Sequence, residues 1–191
     1  MVNAGRKVAY VGIMAGLTGV GAWIRVPLWP VPFTLQVFFV LLSGALLGPG
    51  WGALSQVVYL GLIFAGLPLS ASGGGLGAII SPTFGYLLGF PAAAGITGAL
   101  RGKGFGRTWL AMFAGLGLIY LMGVSYLGFY FRHIAHAPRS LPDLLRLGFL
   151  PFLPGDVAKV LLASYVVVRL DRYMPKWRSS LTAVEEEGCA S

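Results

Sequence analysis

Charge is scarce in this chain. Asp, Glu, Lys and Arg make up 10% of its 191 residues, while 57% are hydrophobic; a soluble domain carries about 25% charge. So much apolar surface exceeds what a soluble core of this size can bury, and the composition is that of an integral membrane protein. Period-two alternation is also missing, which excludes a transmembrane barrel and leaves helices interrupted by Gly and Pro. Histidine occurs only at His133 and His136, in a connection bearing Pro and Arg whose one acid is Asp143. That set is too sparse for a metal site. With no Gly-x-Ser-x-Gly either, an intramembrane hydrolase is set aside: neither enzyme nor metal centre is expected. No strand-borne glycine loop runs into Lys-Ser/Thr, so any ATP used must bind another polypeptide. The single cysteine, Cys189, excludes an intrachain disulfide. Acidic residues number 6 against 14 basic ones. The basic residues gather at the ends of apolar runs, a pattern of membrane topology rather than of nucleic-acid binding.

What the chain does have is six apolar runs, at about 20 residues per span. The expected fold class is all-α, a polytopic bundle of six transmembrane helices over 8–23, 33–47, 51–65, 83–100, 109–131 and 154–169. Residues 1–170 are expected to form one membrane domain, followed by a polar cytoplasmic tail, 171–191, disordered towards Glu185, Glu186 and Glu187. Arg6 and Lys7 before the first run imitate a signal peptide, but five comparable spans follow and the first is expected to be retained. With both termini in the cytoplasm, nine Lys and Arg fall inside and four outside, Lys159 lying within the membrane. The positive-inside rule favours that orientation.

Asp156 and Lys159 stand three residues apart at the start of the last run. Nearly one helical turn separates them, so they share a face, displaced by roughly 4.5 Å along the axis. Charges facing lipid are costly and in membrane helices usually mark a functional cavity; the alternative is a buried pair that only locks helices. In the assumed topology the starts of helices 2, 4 and 6 lie on the outer side, which brings Thr34, Gln36, Tyr86, Asp156 and Lys159 towards one cavity. The uncharged loop 66–82, with Ser72 and three consecutive glycines at 73–75, lies there too, either as a lid or as a re-entrant connector. Gln56 and Tyr59 are polar residues within helix 3, fit for interhelical bonds or for ligand contact. Helix 1 carries small residues at Gly12, Ala15, Gly16 and Gly19, a face that either packs inside the bundle or docks another membrane subunit.

Several stretches together resemble the BioY family, the biotin-binding S component of energy-coupling factor (ECF) transporters. They are Pro30-Val-Pro-Phe-Thr-Leu-Gln36, Gly44-Ala-Leu-Leu-Gly-Pro49, Gly66-Leu-Pro68, Pro82-Thr-Phe-Gly-Tyr86 with Gly89-Phe90, and Pro154-Gly-Asp156 with Lys159. Each is weak alone; their order and spacing are specific. The resemblance implies a multi-pass protein of a prokaryotic plasma membrane that binds biotin near its outer face, beneath mobile loops, with no cofactor. It also implies a T component and two ABC-type ATPases as partners, although some members are thought to act alone; self-association stays open. The family's Asp and Lys on the last helix fall on Asp156 and Lys159. Its Ala-x-x-x-Ala docking face falls on Ala15 and Gly19, a departure that keeps small side chains. Phe84 stands where the family often has glycine. Biotin's ureido ring offers two N–H donors and one carbonyl: Asp156 suits an N–H, Lys159 suits the carbonyl or the valerate carboxylate, and Gln36 and Tyr86 suit the remaining bonds. An S component for another vitamin, such as thiamin or riboflavin, shares the gross pattern, and a purely structural subunit is the third reading.

Overall fold

The structure is a computed structural model that describes residues 4–173. The described residues form seven α-helices: α1 (Ala4–Trp23), α2 (Gln36–Leu47), α3 (Pro49–Phe64), α4 (Phe84–Leu100), α5 (Phe105–Phe129), α6 (Leu141–Gly148) and α7 (Leu153–Tyr173). Two short strands, β1 (Arg25–Val26) and β2 (Phe33–Thr34), join α1 to α2 as an antiparallel pair. The disorder expected of the tail concerns residues outside those described.

Several expected boundaries move, and the starts of α2 and α6 have a visible local reason. Phe33 and Thr34 belong to β2 and not to the second helix. Pro30 and Pro32 hold that stretch extended, and α2 starts at Gln36. The Leu35 N–H points back to the carbonyls of Gly21 and Ile24, which fastens the hairpin to the end of α1. The long connection after α5 is not all loop. α5 runs on through a π turn, Tyr130–Ile134, and α6 follows. Ser140 caps α6 by accepting from the Asp143 N–H and donating to the Asp143 carboxylate at 2.6 Å. That hydroxyl holds the exposed carboxyl below its ordinary pKa. On α6, Leu144 is buried while Leu141, Leu145 and Arg146 are exposed, so one face rests on the bundle. Finally, α7 extends past the expected Arg169 to Tyr173.

The stretch 105–134 is long and apolar enough to cross a bilayer by itself, and α6 with α7 meets the same measure as a pair bent by 50°. α2, α3 and α4 are apolar helices of 12, 16 and 17 residues. α4 packs against α2, α3 and α5, and α7 against α2 and α5. Glycine makes two of these approaches close. A Cβ on Gly44 would meet the Ala94 carbonyl at 2.1 Å, and one on Gly123 would meet the Tyr86 ring at 2.2 Å. Bare backbone at such points lets membrane helices touch where Leu against Leu gains nothing over lipid.

The small face of α1 divides in two. Ala15 is fully buried, and a Cβ on Gly19 would meet Leu69 at 3.1 Å, so these two residues pack within the protein. This corrects their assignment as an open docking face. Gly12 and Gly16 are the small residues left exposed. Gln56 is an interhelical bond former, its amide NH2 lying within 3.0–3.3 Å of the hydroxyls of Thr18 on α1, Ser43 on α2 and its neighbour Ser55. At the far end of α7, Asp171 pairs with Arg101 at the end of α4, and Arg101 also donates to the Ala45 carbonyl on α2.

Candidate functional site

The start of α7 borders a cavity that opens to the surface and is walled by β2, α2, α4, α5 and α7. Five of the residues singled out in the sequence line it: Thr34, Gln36, Tyr86, Asp156 and Lys159. β2 and the first turn of α2 supply the first two, α4 supplies Tyr86, and α7 supplies the pair. Their distance in sequence is closed by the packing of α2, α4 and α7 around α5.

Ser72 is not among the lining residues. It is exposed, and its hydroxyl bonds the Thr83 hydroxyl at 3.0 Å; Thr83 and the neighbouring Ala71 line the cavity in its place. The glycine loop turns back on itself there. Gly66, Gly73 and Gly75 take positive φ, a conformation glycine adopts without strain. The loop is also strapped to the hairpin side, because Trp23 donates to the Pro68 carbonyl and Arg25 to the Ala71 carbonyl.

Asp156 and Lys159 are only 4% and 7% exposed, and lie 2.7 Å apart. Neither depends on the other alone. Tyr120 of α5 donates to the second oxygen of Asp156 at 2.6 Å, and Lys159 also donates to the Thr34 backbone carbonyl. The Lys159 ammonium lies 3.5 Å from the centroid of the Phe33 ring, where a desolvated cation is attracted to the ring face. Phe33 stacks on Phe152 with ring centroids 6.2 Å apart, and a Cβ on Gly155 would strike Phe33 at 2.3 Å. Gly155 thus makes room for the ring that covers the lysine.

Counting hydrogens shows what this wall offers. Tyr120 gives its hydrogen to Asp156, and Tyr86 gives its own to the Gly148 carbonyl at 2.8 Å. Two of the three Lys159 donors are engaged, and the ring of Phe33 lies close by. Each Asp156 oxygen has accepted one bond and can accept another, and both phenol oxygens retain acceptor capacity. The polar wall is therefore rich in acceptors beside one cation, and Phe33, Leu87, Phe90, Ile119 and Phe152 supply apolar surface.

Tyr120, Phe33, Phe152 and Gly155 complete the site without having been assigned to it from sequence. Tyr120 is one of two tyrosines in α5, with Tyr126, but nothing in an apolar run says which of them turns inward. His133 and His136 are both exposed, and no group of three His, Cys, Asp or Glu capable of holding a metal occurs among the described residues.

The chain is similar to known proteins along most of its length. The chain is 41% identical over 170 residues to the biotin transporter BioY of Thermotoga maritima, covering 87% of this chain and 96% of that protein. It is 40% identical over 166 residues to a probable biotin transporter BioY of Pyrococcus horikoshii, covering 86% and 96%. The solved structure of the S-component for biotin from an ECF-type ABC transporter superposes with a TM-score of 0.76 at 25% identity, over 90% of this chain and 95% of that one. The family model described as BioY matches residues 2–176, and the chain belongs to the BioY family.

Proposed function

We propose that the protein captures biotin in this cavity as the substrate-specific component of a vitamin-uptake transporter. The observation that carries the reading is the acceptor-rich wall beside a single lysine. A ureido ring brings two N–H donors and one carbonyl to such a wall, and the thiophane ring suits the surface of Phe33, Phe90 and Phe152. Asp156 accepts one N–H, Gln36 and the phenol oxygens complete the contacts, and Lys159 meets either the carbonyl or the carboxylate. Thr34 contributes its carbonyl to Lys159 and its hydroxyl to Gln36; Ser72 acts through Thr83. The chain belongs to a family of transport components and not of enzymes.

Six of the seven helices are assigned as spans, with both termini cytoplasmic in the plasma membrane of a prokaryote. α6 is the exception: its 8 residues cover about 12 Å, and the Leu141 and Leu145 side chains it leaves exposed suit the outer surface of the bilayer. The binding domain runs past the expected residue 170 to the end of α7 at Tyr173, and the sequence after it is assigned to the cytoplasmic side. Transport then relies on a T component and two ABC-type ATPases as partners. The exposed Gly12 and Gly16 strip of α1 is the face assigned to docking. The test is binding of labelled biotin to detergent-purified protein, competed with thiamin and riboflavin. Displacement by biotin alone is the expected result; displacement by another vitamin, or no binding by folded protein, refutes the substrate assignment.

A further inference from the structure

We infer that Tyr59 is a positioning residue that sets the polarity of the binding wall: it holds the Gln36 amide with its oxygen on the cavity side, so that the site selects a ligand bringing an N–H to that point. The inference rests on the biotin reading and adds to it a determinant that lies outside the cavity. Tyr59 is fully buried on α3, its ring against Phe90 with centroids 6.2 Å apart, and it is not part of the lining.

Its phenol oxygen stands between two groups, the Leu69 carbonyl at 2.9 Å and the side chain of Gln36. A carbonyl only accepts, so the one phenol hydrogen goes to Leu69 and the oxygen is left to accept from Gln36. Gln36 must therefore turn its NH2 towards Tyr59. At the opposite end of the amide the Thr34 hydroxyl, which accepts from the Gln36 backbone N–H at 3.4 Å, has its hydrogen available for the amide oxygen at 3.1 Å. The one-way bond at Tyr59 thus sets the orientation, and Thr34 accommodates it. An unrestrained glutamine turns over and presents either group; this one is held. A ligand with a ring oxygen where biotin has an N–H would set oxygen against oxygen in a buried site, with no hydrogen between them.

The test uses biotin and two cyclic carbamate analogues, each with one ureido N–H replaced by oxygen. Wild-type protein is expected to bind biotin and to reject both analogues. In Tyr59→Phe the amide is free to turn and donate, so the affinity gap to one analogue narrows roughly tenfold or more. The gap to the other analogue, whose missing N–H faces Asp156, stays as in wild type. A purely structural role for Tyr59 weakens all three ligands alike and leaves both gaps unchanged, which overturns the inference. Tyr59→Leu, which also removes the hydroxyl, serves if Tyr59→Phe does not fold. Wild-type protein that accepts both analogues as well as biotin overturns it with no variant at all. Failure of biotin to bind wild type strikes the substrate assignment, whereas unchanged gaps in Tyr59→Phe strike the role of Tyr59 alone.

Discussion

α7 carries an ion pair near each end, Asp156–Lys159 and Asp171–Arg101, about 22 Å apart along its axis. The pairs use the same kinds of charge to different effect. Arg101 and Asp171 come from different helices, and Arg101 also grips the Ala45 carbonyl, so this pair draws the ends of α2, α4 and α7 together. Asp156 and Lys159 sit three residues apart on one helix and fasten nothing by their mutual contact. What ties them to the rest of the protein is Tyr120 on one side and the Thr34 carbonyl on the other. They also border a cavity and keep acceptor capacity unspent. Burial of an ion pair therefore does not tell a lock from a site; the origin of the partners and the bonds still open do.

The largest effect expected from breaking the comparison lies in binding. Asp156→Asn should lower biotin affinity on the order of 100-fold or more, because the amide cannot accept on both sides and leaves Lys159 without its counter-charge. Arg101→Met should leave that affinity unchanged while costing about 1–3 kcal/mol of stability, seen as a lower Tm. Equal loss of binding in both variants would erase the distinction between the pairs.

A double substitution sharpens it further. Removing one member of a buried pair costs about 3–5 kcal/mol, whereas replacing both by neutral groups of similar size is often harmless. Asp156→Asn with Lys159→Met should therefore melt closer to wild type than Asp156→Asn alone, and still not bind biotin. Recovery of binding together with stability would make this pair a lock like the other.

The smallest effect on binding is expected on α1. Gly16→Trp adds bulk to an exposed strip and should spare biotin binding while reducing uptake in cells. Ala15→Trp, inside the protein, should lower Tm and binding together. Normal uptake by Gly16→Trp would move the docking face elsewhere.

Much of the site was legible because its polar residues stand out from an apolar text. Asp156, Lys159, Gln36, Thr34 and Tyr86 each interrupt a hydrophobic run, and a charge in such a place needs a reason. Aromatic residues do not stand out in the same way. Phe33, Phe152 and Tyr120 lie among many, and a helix apolar on every side gives no rotational phase by which to aim them. Strands of two residues carry no period, so the hairpin went unread although Pro30 and Pro32 mark its path. Ser72 was misplaced because glycines at positive φ turn a loop in directions that side-chain pattern does not encode. α6 did leave a sign, Ser140-Leu-Pro-Asp143, a cap and an acid at the spacing of a helix start. The burial of Ala15 was harder, since a small residue is equally at home under another helix or open to one.

Lys159 reaches β2 through the Thr34 carbonyl, a backbone group that every amino acid possesses. This part of the cation's anchorage consequently depends on the path of the chain at position 34 and not on which residue evolution places there. The side chain at 34 is free to drift, altering what the pocket wall presents, while the charge keeps its station. Ligand preference and this backbone anchor are in this way heritable apart: one can be retuned by substitution at position 34, and the other changes only when the hairpin itself is rebuilt.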